Sequence, residues 1–346
     1  MASEKISVGV IGVGGMGGRH AENLNSRING AQVAAVMDAD SERLNRVAAE
    51  CGGAKAFDDG MDLIRDESVE AVVIASPDST HASLVLECIR NGKPVLCEKP
   101  LAATVEESRQ VVEAESGLGR KLVQVGFMRR YDPEHVAVAR EAMDGDIGRP
   151  LMFKGVHRAP EVPESWDSEF VIRNALVHDL DSARWMLGQE IEEVFVRGVN
   201  NAPALGEDTA DLQSVQLSMS GGCMASVEVF VTARYGYEVN AELVCERGVA
   251  QTPLPHEAVV RSEFGRRQRV PEGFLGRFPT AYEAEVERWI EALAADEEPD
   301  GADAWDGYVS LVACEACVES INSGSPRRVE TPERPVLYSR TEEVSK

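Results

Sequence analysis

Three side chains in this chain of 346 residues, Lys99, Asn174 and His178, suit the removal of a proton from a hydroxyl. Lys99 follows the short apolar run Val95-Leu96-Cys97, which reads as a buried strand, and sits inside Glu98-Lys99-Pro100. Pro100 biases the lysine away from helical geometry, and its peptide bond can be cis, as about 5–6% of X-Pro bonds are. The ammonium is thus expected at the carboxyl end of a strand, where open α/β sheets bind their ligands. Taken alone, it either meets a substrate there or is a solvated lysine paired with Glu98. Asn174 and His178 are four apart in a helical stretch over 172–187, which places them on one face. Histidine titrates near neutrality. A histidine base and a nearby ammonium that stabilises alkoxide character would together let an alcohol lose its proton as hydride departs.

A hydride needs an acceptor, and the first strand supplies a place for one. Ile11-Gly12-Val13-Gly14-Gly15-Met16-Gly17 is Gly-x-Gly-x-x-Gly between a strand and a helix. Gly12 permits the tight turn, Gly14 lets backbone approach a pyrophosphate, and Gly17 lets helix and strand pack. The open amides of the helix start, beginning at Gly15 and Met16, attract the anion. The second strand ends in Asp38, positioned to accept from the adenosine ribose. The carboxylates of Asp38-Ala39-Asp40 would repel a 2′-phosphate, so NAD is expected rather than NADP, with Arg43 the one nearby base. Ser76-Pro77-Asp78 follows the fourth strand on the same edge and suits the nicotinamide side, with Glu98 orienting the ribose or Lys99. His81 either lines that cleft or, more readily on its own, lies on the surface near a helix start.

These groups need a scaffold. Strands are expected at 7–11, 32–38, 54–57, 71–76, 94–98 and 122–127, with helices at 16–26, 41–51, 60–66, 79–91 and 104–115. Such alternation implies a doubly wound parallel sheet. After residue 127 come a helix at 133–143, a strand at 151–158 and the 172–187 helix. Strands at 192–199, 211–218, 223–230 and 238–245 follow with short turns, which imply a mainly antiparallel open sheet. Helices at 278–295 and 302–323 close the pattern. The expected fold is therefore α/β: a Rossmann domain over 1–127, a substrate-binding and oligomerisation α+β domain over 128–335, and a loosely ordered tail over 336–346.

Fifty-nine acidic against 35 basic residues give a net charge of −24, which speaks against nucleic acid and anionic membranes as partners. No apolar run reaches the roughly 18 residues of a membrane span, and no secretory leader is visible, so a cytoplasmic protein is expected. Seven cysteines without a secretion signal read as reduced thiols. Cys314-Glu315-Ala316-Cys317 has the spacing of a metal or redox pair, but it falls in an apolar helical stretch without a second pair, and no metal site is expected.

With these motifs in hand, the chain resembles the glucose-fructose oxidoreductase/inositol dehydrogenase (Gfo/Idh/MocA) family over nearly its whole length. The resemblance rests on the glycine loop, Glu98-Lys99-Pro100 and His178-Asp179-Leu180-Asp181 with Arg184-Trp185 after it. Phe127-Met128-Arg129-Arg130-Tyr131-Asp132 and Val156-His157-Arg158 are similar to the inositol 2-dehydrogenase branch. The resemblance implies NAD-dependent oxidation of a ring hydroxyl of a cyclic polyol or sugar, by a homotetramer or homodimer. It implies Lys99 and His178 as catalytic, with Asn174 beside them and Met128, Arg129 and His157 near the substrate. Tyr237, or else Tyr235, would close the pocket.

One departure stands out: inositol dehydrogenases of this type usually carry Asp where this chain has Asn174. An amide can orient the imidazole but cannot stabilise an imidazolium by charge. Either His178 relies on another acid, such as Asp181, or the substrate preference has moved to another polyol or sugar. Three other activities fit the same fold: a glycosidase that recycles NAD, a non-catalytic sugar-sensing regulator, and an NADP-dependent reductase.

Overall fold

The computed structural model describes residues 5–202, 205–206, 209–253 and 259–339. It divides into two compact units. The first runs to Phe127 and takes in Tyr282–Leu311 and the described residues from Pro332, and the second is Met128–Ala281 with Val312–Thr331.

In the first unit, β1 (Ile6–Ile11), α1 (Gly15–Ser26), β2 (Ala31–Met37), α2 (Ser41–Glu50), β3 (Lys55–Phe57) and α3 (Gly60–Arg65) are followed by β4 (Ala71–Ile74), α4 (Asp78–Arg90), β5 (Val95–Glu98), α5 (Val105–Leu118) and β6 (Val123–Gly126). The strands pair in parallel in the order β3-β2-β1-β4-β5-β6, the doubly wound order whose reversal lies beside β1. Each of β4, β5 and β6 is buried along its length, which is why these strands read as unbroken apolar runs. Local signals set the helix starts: Asp40 caps α2, Asp59 caps α3, and Thr104 with Glu107 forms a capping box on α5.

The second unit opens with a 3-10 turn, Met128–Tyr131, and α6 (Pro133–Asp144), capped by Asp132. Next come β7 (Pro150–Arg158), α7 (Ser168–Val171), a π-turn at Ile172–Leu176 and α8 (Val177–Leu187). The strands β8 (Ile191–Val199), β9 (Leu212–Met219), β10 (Met224–Phe230), β11 (Glu238–Cys245) and β12 (Val249–Gln251) follow. A hairpin of β13 (Val259–Ser262) and β14 (Gly265–Gln268) precedes α9 (Phe274–Arg277), α10 (Pro279–Ala294), α11 (Ala304–Ser323) and β15 (Arg327–Arg328). The larger sheet runs β12-β11-β7-β10-β9-β8-β15 and is antiparallel except where β10 pairs with β7. Along β9 buried and exposed residues alternate, the mark of a sheet with one covered face.

Two placements differ from the sequence expectation. Residues 282–311 were assigned to the second domain, yet Val286, Trp289 and Ile290 complete a core with Val8, Val36 and Leu96 of the first unit. An amphipathic helix shows which of its faces is apolar but not which sheet will cover it. Residues 336–339 of the expected loose tail are also built into the fold, as is the charged stretch that leads to them. β15 extends the larger sheet, and in a 3-10 turn at Val336–Tyr338 the buried Tyr338 hydroxyl donates to Glu115 at 2.6 Å. Residues 340–346 of the expected tail lie outside the described residues. Cys314 and Cys317 are both buried on α11, as small residues of an apolar helix.

Candidate active site

The glycine loop has the shape its spacing implied. Gly12 has a φ of +81°, and a Cβ there would stand 2.6 Å from the backbone of Ser76. A Cβ on Gly17 would stand 1.7 Å from the Gly12 carbonyl oxygen, so only glycine lets α1 approach β1 this closely. Around Gly14 and Gly15, by contrast, a Cβ would meet nothing within 4 Å. The N-terminus of α1 carries no side-chain cap, so its first amides face that open space. Asp38, at the end of β2, is buried. It accepts from the Val13 amide at 2.9 Å and from Arg43 Nε and Nη2 at 3.0 and 2.8 Å. The Arg43 bond lowers the Asp38 pKa against the opposing effect of burial, so the carboxylate is ionised where an adenosine ribose would need an acceptor. An open anion cradle with an acid at the end of the neighbouring strand fits NAD.

The ends of β4 and β5 lie on the same sheet edge. Ser76 Oγ is 2.7 Å from Thr80 Oγ1, which donates to the Pro77 carbonyl, so this turn braces itself ahead of Asp78, the first residue of α4. His81 corrects the sequence expectation: it is not a surface residue but 1% exposed, with Nδ1 2.7 Å from the Pro100 carbonyl oxygen and Nε2 2.9 Å from that of Ser76. Its place on the buried side of α4 depends on β5 packing alongside, a contact that local pattern does not reveal. Lys99 is half-buried, and the Lys99–Pro100 bond is cis. Glu98 is buried against His20 Nε2 at 2.8 Å, and its side chain lies over Gly126 of β6. Burial raises the Glu98 pKa, but the His20 bond and the Lys99 charge outweigh it and keep the carboxylate ionised.

In the second unit the Met128-Arg129-Arg130-Tyr131-Asp132 run becomes a connector. Arg129 Nη1 donates to Asp179 Oδ1 at 2.7 Å, and Arg130 grips both oxygens of Asp181 at 2.6 and 3.1 Å. Successive arginines thus take up the two acids that follow His178. Asp132 caps α6 and accepts from Arg277 and His135. Burial opposes ionisation there, but these partners hold its pKa at about 2.

His157, on β7, joins Arg129 and Asp179. Its Nδ1 stands 3.1 Å from Arg129 Nη2 and 3.3 Å from Asp179 Oδ2, and its Nε2 stands 3.2 Å from the Tyr237 hydroxyl. Gly155 makes room, since a Cβ there would sit 3.0 Å from Asp179 Oδ1. Burial and the Arg129 charge lower the His157 pKa, and burial raises that of Tyr237 to about 12. A neutral His157 has two arrangements. With hydrogen on Nδ1 it donates to Asp179 and accepts from Tyr237; with hydrogen on Nε2 it accepts from Arg129 and donates to the Tyr237 oxygen. Arg129, His157 and Tyr237 are therefore brought together, whereas Tyr235 is exposed and bonds Arg158 and Glu238. Asp179, which joins them, was absent from the residues expected at the site; its place beside His178 was the available signal.

Asn174 falls within the π-turn and is half-buried, and His178 lies buried in the first turn of α8. π-turns gather at functional sites. Met128 is buried in the 3-10 turn. No group of His, Cys, Asp and Glu among the described residues could hold a metal ion.

A parallel sheet ordered 3-2-1-4-5-6, an open glycine loop and an acid ending the second strand define a dinucleotide-binding oxidoreductase. Residues 6–127 match the family described as "Oxidoreductase family, NAD-binding Rossmann fold", and residues 136–251 match the GFO/IDH/MocA C-terminal domain. The chain belongs to the Gfo/Idh/MocA family. It is 55% identical to an inositol 2-dehydrogenase of Rubrobacter xylanophilus, over 99% of either chain. It is 44% identical to an inositol 2-dehydrogenase of Saccharopolyspora erythraea, over 96% of this chain and 98% of the relative. Among solved structures, the myo-inositol dehydrogenase of Lactobacillus casei in complex with NAD(H) and myo-inositol superposes with a TM-score of 0.92 at 32% identity. That match covers 97% of this chain and 100% of the other.

Proposed function

We propose that this protein is an NAD-dependent dehydrogenase that oxidises a ring hydroxyl of an inositol or a closely similar cyclic polyol to the ketone. The observation that carries the reading is the 55% identity to an inositol 2-dehydrogenase over 99% of the chain. In this reading the first unit holds NAD through the glycine loop and Asp38, and the second holds the polyol. NAD, when bound, accepts the hydride at C4 of its nicotinamide.

The chain's own residues manage the proton and the oxygen. His178 takes the hydroxyl proton while the Lys99 ammonium stabilises charge on the oxygen. Met128, His157 and Tyr237 contact the ring, and the buried Arg129–Asp179 pair fixes His157. Asn174 orients the imidazole or a substrate hydroxyl. The protein works in the cytoplasm as a homotetramer or homodimer through the sheet face that exposes Ser214, Gln216 and Ser218, which sedimentation would test.

The deciding experiment is NADH formation, followed by absorbance, against a panel of inositols, aldoses and anhydrosugars with NAD and NADP compared. Stoichiometric NADH with at least one inositol is expected. Turnover of a glycoside without net NADH would replace this reading with the NAD-recycling glycosidase.

A further inference from the structure

Two histidines of the first unit, one of them absent from the expected site, bond the residues on either side of Lys99. His20 and His81 are 0% and 1% exposed. His20 Nε2 meets the Glu98 carboxylate, and His81 Nδ1 meets the Pro100 carbonyl oxygen. We propose that His20 and His81 are a pair of positioning residues that clamp Lys99 from both sides, tying it to the helix of the glycine loop and to the Ser76-Pro77 turn. The inference rests on the role of Lys99 in the proposed function.

His20 lies three residues past Gly17 on α1, so its bond to Glu98 links the opening of the dinucleotide helix to the residue before the lysine. A carboxylate only accepts, so Nε2 carries the hydrogen. Nδ1 has no hydrogen-bond partner among the described residues, as that tautomer allows. Tyr282 packs edge-on to the ring at 6.3 Å between centroids, and Gly126 leaves the Glu98 side chain its space.

His81 works on the other side. Its two nitrogens face two carbonyl oxygens, of Pro100 and of Ser76, and neither oxygen can donate. A ring protonated on both nitrogens donates to both and spans the loops after β4 and β5, whereas a neutral ring donates to one of them. Burial of Cys97 before the segment and Leu101 after it leaves Glu98-Lys99-Pro100 little freedom beyond these bonds. Positioning of this kind matters because a misplacement of about 1 Å at a reacting group costs about 100-fold in rate.

The test separates the two His81 bonds by amide geometry. His81→Asn keeps a donor near the Nδ1 position that faces Pro100, and His81→Gln keeps one near the Nε2 position that faces Ser76. His20→Gln likewise keeps the donor to Glu98, and His20→Ala removes it. We expect His81→Asn and His20→Gln to stay within about 5-fold of the parent kcat, and His81→Gln, His81→Ala and His20→Ala to lose about 30- to 100-fold. The Kd for NAD, read by fluorescence, should move less than about 3-fold in each case. Should an alanine variant not fold, the glutamine and asparagine variants carry the comparison. In a Lys99→Ala background the His81→Gln change should have no further effect on the residual rate, because its effect runs through the lysine. Multiplying losses in the double variant, or equal rates for His81→Asn and His81→Gln, would overturn the clamp. Full activity of Lys99→Ala alone would instead overturn the assignment of the lysine.

Discussion

Arg43 grips both carboxylate oxygens of Asp38, through Nε at 3.0 Å and Nη2 at 2.8 Å. The acid that would receive the adenosine ribose is therefore already shared with an arginine, and we expect the pair to set the cofactor preference. Replacing Asp38 by Ala removes the ribose acceptor and the charge that repels a 2′-phosphate, and it releases Arg43. The KM for NAD should rise about 10-fold or more while NADP gains, narrowing the NAD/NADP ratio of kcat/KM. Arg43→Ala should leave NAD use within about 3-fold and reduce whatever NADP use exists. Steady-state kinetics with both cofactors reads each outcome.

Lys99 and His178 carry the chemical step in the proposed function. Lys99→Ala and His178→Ala should each lower kcat by about 100-fold or more, since each removes stabilisation present in the transition state. NAD affinity, measured without substrate, should change little in both.

Asn174 lies in the π-turn that leads into α8. Asn174→Asp introduces the carboxylate that the family resemblance led us to expect at this position and should shift the ranking of kcat/KM among inositols and pyranoses. An unchanged ranking would rule out Asn174 as a specificity residue.

The Arg129–Asp179 pair is buried on both sides, at 2% and 0% side-chain exposure. Asp179→Asn leaves an uncompensated guanidinium in the interior and should destabilise the protein by about 3–5 kcal/mol. Asp181→Asn should cost less, because the Arg130 side chain is 13% exposed and can reach water. Urea midpoints of the two variants, measured side by side, check the order.

Glu115 gives the fold a pH response. Burial raises its pKa to about 7, although the Tyr338 hydroxyl and the amides of Leu122 and Val123 favour the ionised form. The folded state therefore holds this proton more tightly than the unfolded chain. The stabilisation is complete below the unfolded pKa of about 4.5 and is lost as pH rises through about 7. Between pH 5 and 8 the difference between parent and Glu115→Gln should change by an amount on the order of 2–3 kcal/mol, with the parent losing stability as pH rises. Unfolding curves at a series of pH values measure it.

Of the first six strands, β4, β5 and β6 were legible because each is buried along its length and reads as an apolar run between turn or capping residues, signals contained within a few positions. The glycine loop was legible for a similar reason. Gly17 is demanded by its contact with the Gly12 carbonyl, and Gly12 by its positive φ, both within one strand-turn-helix unit whose geometry the spacing itself encodes. The close approach of Ser76 to Gly12 is a long-range contact that the spacing does not encode. The parallel pairing of β10 with β7 inside an otherwise antiparallel sheet was not visible, since pairing partners lie far apart in the chain.

The residues expected at the site divide along the same line. Lys99, Asp38 and the glycines were placed at strand ends by local pattern, and His178 on a helix by its period. That Arg129 turns inward to Asp179, that His81 is buried between two carbonyls, and that His20 reaches Glu98 could not be read from spacing. These bonds join residues 50, 19 and 78 positions apart. By itself the sequence determined the strands of the first unit and the dinucleotide loop, because periodicity, glycine sterics and proline geometry act within one or two turns of chain. Only the tertiary structure decided which buried polar groups satisfy one another, because in a low-dielectric interior each must find a partner wherever the packed chain brings one.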